Sequence, residues 1–158
     1  MKILLILFFS LLLNTSLASA DEKPGRFFED QPDVTDEHQI HFIYLLPSDG
    51  EDRELDINGS MEAILEKVND TMFEATKANK GSGGVGKKYR YDYRKDGKLD
   101  ITFIRTRKNW KELKDKSVNT QMGHYFNQVG GFNNKKKTYF LWTDVDRGNH
   151  GGDAGVGI

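Results

Sequence analysis

Eight residues, Gln39 to Leu46, constrain this chain more than any other segment. Ile40, Phe42 and Tyr44 alternate with His41, Ile43 and Leu45, so both faces of an extended strand carry apolar groups. A strand of that kind has to be covered on both sides, as in the interior of an α/β sheet, and Pro47 ends it. A polar loop from Ser48 to Gly59 follows, with two glycines and five acidic residues.

The next segment has the helical period. Met61, Ile64, Leu65, Val68, Met72 and Phe73 fall on one stripe, while Glu62, Glu66, Lys67, Asp70 and Glu74 face away. Asn58 or Ser60 is placed to cap the start, and Asn79-Lys80-Gly81 stops the helix. Gly81 to Gly86 reads as a flexible connector. It follows a helix and leads into a strand, the reverse of the order a phosphate cradle needs.

Period two then returns. Tyr89, Tyr91 and Tyr93 alternate with charged residues, Asp96-Gly97 intervenes, and Leu99, Ile101 and Phe103 alternate beyond it. Two such runs around Asp-Gly predict a hairpin with a type I′ turn. The tyrosine stripe is expected to pack on a helix, with a ligand-stacking surface as the alternative. A second helix is expected from about Asn109, through Trp110 and Leu113, to Val129. A last strand is expected over Thr138 to Val145. The predicted order is β-α-β-β-α-β: a single α/β domain with a mixed, mostly parallel sheet, one hairpin and two main helices.

Lys2, the apolar run from Ile3 to Leu13 and Ala18-Ser19-Ala20 form the three parts of a cleavable secretion signal. The apolar core is shorter than the ~20 residues a span requires. The expected organisation is therefore a signal peptide over 1–20, an extended leader over 21–37, the α/β domain over 38–145 and a glycine-rich tail over 146–158. Removal of 20 residues from 158 leaves 138, with 22 basic and 24 acidic side chains. That balance calls for neither nucleic acid nor an anionic membrane as partner. The expected location is secreted or periplasmic, with an extracytoplasmic ligand or protein as partner.

Cysteine is absent, which excludes disulfides, thiolate metal sites and a cysteine nucleophile. A small exported domain without disulfides relies on its core, or on a bound ion. The four histidines, His38, His41, His124 and His150, form no His-Glu-x-x-His helix, and His41 reads as a satisfied core residue. Two acidic loops are candidate sites for a divalent cation. In the first, Asp49, Asp52 and Asp56, with Asn58, offer oxygens for calcium. In the second, Asp144, Asp146, His150 and Asp153 leave the C-terminal end of the last strand, where open α/β sheets place their sites.

Ile40-His41-Phe42-Ile43-Tyr44, then Leu46-Pro47-Ser48-Asp49-Gly50, Asp52-Arg53, Leu55-Asp56 and Asn58-Gly59, resembles the opening of a group of uncharacterised secreted bacterial proteins. Leu99 to Arg105 resembles their second recurring block. Longer members of that group are similar to metzincin-like zinc peptidases, with the zinc-binding helix after an equivalent α/β half. The resemblance implies an exported scaffold half lacking the catalytic motif, either a fragment of a longer frame or a short relative. It assigns no zinc ligand and no catalytic residue here. The alternative is a secreted binding module that uses the acidic loops for calcium, or the tyrosine face for a glycan or protein.

Overall fold

A computed structural model describes residues 20–114 and 132–143, together with the backbone of a two-residue strand at 155–156. The elements are β1 (Gln39–Leu46), α1 (Ser60–Ala78), β2 (Ile101–Arg105), α2 (Trp110–Lys114), β3 (Lys137–Thr143) and β4 (Gly155–Val156). The sheet order is β2-β1-β3-β4. The strand β1 lies between two parallel neighbours, and β4 runs antiparallel to β3. The domain is α/β, and β1 is the interior strand that its two apolar faces demand.

Alternation sorts the core into two layers. Phe42, Tyr44 and Leu46 of β1 meet Met61 and Leu65 of α1, with Tyr91, Leu99, Ile101 and Phe103 beside them. Ile43 and Leu45 face the other way, with Ile104, Tyr139 and Leu141, and Phe132 packs on them. Parallel register aligns His41 with Tyr139 and Gln39 with Lys137, so those side chains share the second face.

The helix buries a narrower stripe than the periodicity predicts. Met61, Leu65 and Asn69 are buried, whereas Ile64 and Val68 are each 44% exposed. The contact line runs along positions i, i+4 and i+8, and its third member is polar for a reason. Asn69 donates through Nδ2 to the Tyr89 carbonyl (3.0 Å) and accepts the Tyr89 N–H through Oδ1 (2.7 Å). The side chain thus stands in for a neighbouring strand. Gly59, at φ 83, caps the helix, and Asn58 Oδ1 accepts the Ser60 N–H (2.9 Å). Asn58 Nδ2 also donates to the Arg53 carbonyl (3.0 Å), so the amides of Asn58 and Asn69 are both engaged.

The glycine connector is a built structure. Lys80–Ser82 forms a 3-10 turn, and Ser82 Oγ donates to the Thr76 carbonyl. Gly86 lies against the Phe73 ring, where an added Cβ would fall 2.3 Å from a ring carbon.

The hairpin is present with a different turn. Gly97 N–H donates to Arg94 O (2.9 Å), Arg94 N–H to Lys98 O (2.8 Å), and only Gly97 has positive φ, at 81. This is a three-residue loop closed by a left-handed glycine, not the two-residue type I′ turn, which needs positive φ at both central positions. The tyrosine run is extended. It makes single bridges, Tyr91 to Ile40 of β1 and Tyr93 to Leu99.

The leader lies along the outer edge of β2. Phe103 N–H donates to Phe27 O (2.8 Å), and the Phe28 ring meets Phe103 edge-on at 5.9 Å. At the leader's start, Arg105 Nε donates to the Asp21 carboxylate (2.8 Å). Of the expected second helix, Trp110–Lys114 is α2, and the remainder to Val129 lies outside the described residues. Among the described residues no helix is long and apolar enough to cross a membrane.

Candidate metal centre

The alternation that turns Tyr91, Leu99, Ile101 and Phe103 toward α1 turns Asp92, Asp100 and Thr102 to the opposite face. There they meet His41, which projects from the first half of β1, and Lys137, the first residue of β3. The leader adds Asp30, Gln31 and Asp33. The group sits at the N-terminal ends of the parallel strands, the end opposite to the one where the sequence places Asp144.

His41 and Asp92 form its centre. His41 Nδ1 lies 2.9 Å from Asp92 Oδ2, 3.6 Å from Asp30 Oδ1 and 3.9 Å from Asp100 Oδ2. On the other side of the ring, Nε2 is 2.9 Å from Thr102 Oγ1. Lys137 Nζ contacts Asp30 Oδ1 (2.5 Å), Asp33 Oδ1 (2.6 Å) and Asp92 Oδ2 (2.7 Å). His41, Asp92, Asp100 and Lys137 are buried; Asp30 at 19% and Asp33 at 34% side-chain exposure mark the way out.

Burial opposes charge throughout this group, and the partners decide which charges survive. Burial pushes the Asp100 carboxyl up to about 6, against the lowering effect of the Gln31 N–H that it accepts (2.8 Å). Asp92 is buried as deeply, yet hydrogen bonds from His41 and Lys137 hold its pKa below the ordinary carboxylate value. Lys137 is likewise desolvated, and Asp30, Asp33 and Asp92 raise its pKa above that of a free lysine. Among the described residues, three buried side-chain oxygens have no hydrogen-bond partner: Gln39 Oε1 and, in this group, Asp92 Oδ1 and Asp100 Oδ1. Orphaned carboxylate oxygens in a sealed site are costly, and a cation is the group that would satisfy them.

One ligand atom each from Asp30, His41, Asp92 and Asp100 lies within 4.8 Å of the others. Bonds of 2.0–2.1 Å to a tetrahedral ion set its donors about 3.3 Å apart. The three distances from His41 Nδ1 bracket that value. One imidazole and three carboxylates suit a first-row dication.

The residues of the first acidic loop expected from the sequence are placed elsewhere. Asp49 Oδ1 accepts the Trp110 N–H (2.8 Å) at the start of α2. Asp52 and Asp56 both face Arg26, whose side chain is fully buried and which donates to each carboxylate twice, at 2.7 and 3.0 Å and at 2.8 and 2.8 Å. The hydrogen bonds from Arg26 hold the Asp52 carboxyl well below the usual range. Arg26 supplies the buried cationic charge of that loop, and Lys23 adds a second, part-exposed one on Asp52 and Glu54. Asp144, Asp146, His150 and Asp153 lie outside the described residues.

The tyrosine stripe divides. Tyr91 is buried and donates through its hydroxyl to the Leu65 carbonyl (3.0 Å), while Tyr89 and Tyr93 remain partly exposed. His41 is, as expected, a core histidine with both nitrogens engaged. Its company was the missed part: Asp92 and Asp100 are legible from the strand alternation, whereas Asp30 sits in a leader without periodicity. No family model, no curated protein and no solved structure matches the chain, so the resemblance to secreted zinc-peptidase-like proteins rests on the residues quoted for it alone.

Proposed function

We propose that this chain is an exported, non-catalytic domain that binds one first-row divalent metal ion, zinc being the model case, through Asp30, His41, Asp92 and Asp100. One observation carries the reading: four ligand atoms already gathered within 4.8 Å, beside two buried carboxylate oxygens that lack partners among the described residues. Four protein donors fill a tetrahedral shell. That is the pattern of a structural site, since a catalytic one keeps a position open for water or substrate. Calcium is a poor fit, because it takes six to eight oxygens at 2.3–2.6 Å.

The chemistry answers a need visible in the composition. A domain of this size without cysteine has no disulfide to reinforce its core, and an ion joining leader to strands supplies an equivalent tie. Export is supported by the signal pattern over residues 1–20, and the scaffold-like role by the resemblance.

The test is calorimetric titration of the processed chain, beginning at Asp21, with zinc and separately with calcium, alongside thermal melts. Zinc is expected to bind one per chain and raise the melting temperature, by about 2.7 kcal/mol of added stability at 100 times its Kd. The double variant Asp92→Asn/Asp100→Asn should lose both effects. Neither heat nor a shifted melt with zinc would remove the proposal.

A further inference from the structure

Lys137 occupies the ground that an ion would need. Its ammonium lies 2.5 Å from Asp30 Oδ1 and 2.7 Å from Asp92 Oδ2, both donor residues of the cluster, and its side chain is 1% exposed. An ammonium at hydrogen-bond distance from two donors stands inside the shell of a dication bound to them. Both cannot keep those oxygens, because a buried cation pair repels with little screening.

The third contact supplies the alternative berth. Asp33 Oδ1, 2.6 Å from Nζ, belongs to no part of the four-donor group, and Asp33 is the most exposed carboxylate around Lys137. A lysine stem has enough rotamers to let its head group swing toward that side while the stem stays packed.

We infer that Lys137 is a built-in competitor: in the metal-free domain its ammonium neutralises Asp30 and Asp92, and an entering dication displaces it onto Asp33. This inference rests on the metal-binding reading and adds an exchange to it. The metal-free state keeps a counter-charge, with the leader tied to the strands through Lys137 on Asp30 and Asp33; in the metal-bound state the ion takes over Asp30 and Lys137 keeps Asp33. Displacement costs affinity, so monovalent ions and weakly bound dications are excluded. The site then holds a structural ion that reinforces the leader's attachment when bound and whose occupancy follows its free concentration.

The distinguishing experiment is zinc competition against a chromophoric chelator, with the processed wild-type chain and the variants Lys137→Met and Asp33→Asn. Circular dichroism melts establish that each is folded. Lys137→Met should bind zinc at least about tenfold more tightly, because the competing charge is gone. Asp33→Asn, though not at a donor, should bind more weakly, because the displaced ammonium loses its berth. Equal or weaker binding by folded Lys137→Met overturns the exchange while metal binding itself stands. Should Lys137→Met not fold, an unchanged affinity in Asp33→Asn overturns it instead. Absence of zinc binding in the wild type and in every folded variant overturns the metal-binding reading, and the exchange with it.

Discussion

His41 Nε2 and Thr102 Oγ1 lie 2.9 Å apart between neighbouring parallel strands, and neither side chain is exposed to solvent. For Nδ1 to bind an ion, the ring proton must sit on Nε2, and Thr102 is the acceptor that holds it there. Without the ion, Nδ1 can carry the proton and donate to Asp92, with the hydroxyl reversing its role.

Thr102→Val therefore tests the orientation of the ring at nearly constant volume. Zinc affinity is expected to fall about 10- to 100-fold, as for other groups that orient a ligating imidazole. Isothermal titration of folded variant and wild type measures it, and an unchanged Kd would show that Thr102 plays no part in ion binding.

A second expectation concerns acid. Asp100 titrates at about 6 in the folded chain and near 3.9 when unfolded, because burial disfavours its charge. The folded state therefore takes up this proton first as pH falls. Metal-free protein should gain stability between about pH 6 and pH 4, by at most ~3 kcal/mol from this group. Above pH 6 that contribution is absent; below pH 4 it is complete. His41, Asp92, Asp30 and the Gln31 N–H face the carboxyl, so Asp100→Asn, which mimics the neutral form, isolates it. Urea denaturation across that range should show a rise in the wild type and a smaller one in the variant.

Asn69 gives a third. Its amide closes two main-chain hydrogen bonds on Tyr89, and the neighbouring Thr76 Oγ1 accepts the Lys87 N–H (2.7 Å). Asn69→Leu restores the apolar period of α1 but leaves the Tyr89 groups unpaired, so it should destabilise by roughly 1–3 kcal/mol. A more stable Asn69→Leu would mean that the helix prefers the apolar stripe after all.

How much of this was legible depends on the range of the contacts. The bounds of β1 follow from Gln39 to Leu46 alone, because alternation and Pro47 are local. The stripe on α1 extended too far at Ile64 and Val68 and missed Asn69, whose partner is the Tyr89 main chain, since sequence period reports only apolar partners. The turn was found at Gly97, but its type depends on the Arg94–Lys98 closing pair, set by how Tyr93 meets Leu99. In the site, Asp92 and Asp100 lie on the face of His41 by alternation. Asp30 and Lys137 are 107 residues apart, and only tertiary packing brings them together.

The same long-range packing makes Arg26 the most consequential residue of the leader. Its guanidinium donates to Asp52 and Asp56 and lies 3.9 Å from the centre of the Phe103 ring, while Asp56 is almost wholly buried. Removing the charge strands the buried Asp56 and leaves Asp52 with Lys23 (3.2 Å) and the Glu54 N–H (2.9 Å) as its remaining partners. Arg26→Met keeps most of the volume and should cost about 3–5 kcal/mol, the range for breaking one side of a buried ion pair. The loss should have a pH signature. Asp52 is held below its ordinary value, so its stabilising contribution is present above about pH 4 and is lost as pH falls through the folded pKa. The gap between wild type and Arg26→Met should therefore be widest near neutrality and narrow toward pH 2. Chemical denaturation of both proteins at pH 7 and at low pH measures that gap. A constant difference at all pH values would assign the cost to lost packing on Phe103 in place of the carboxylates.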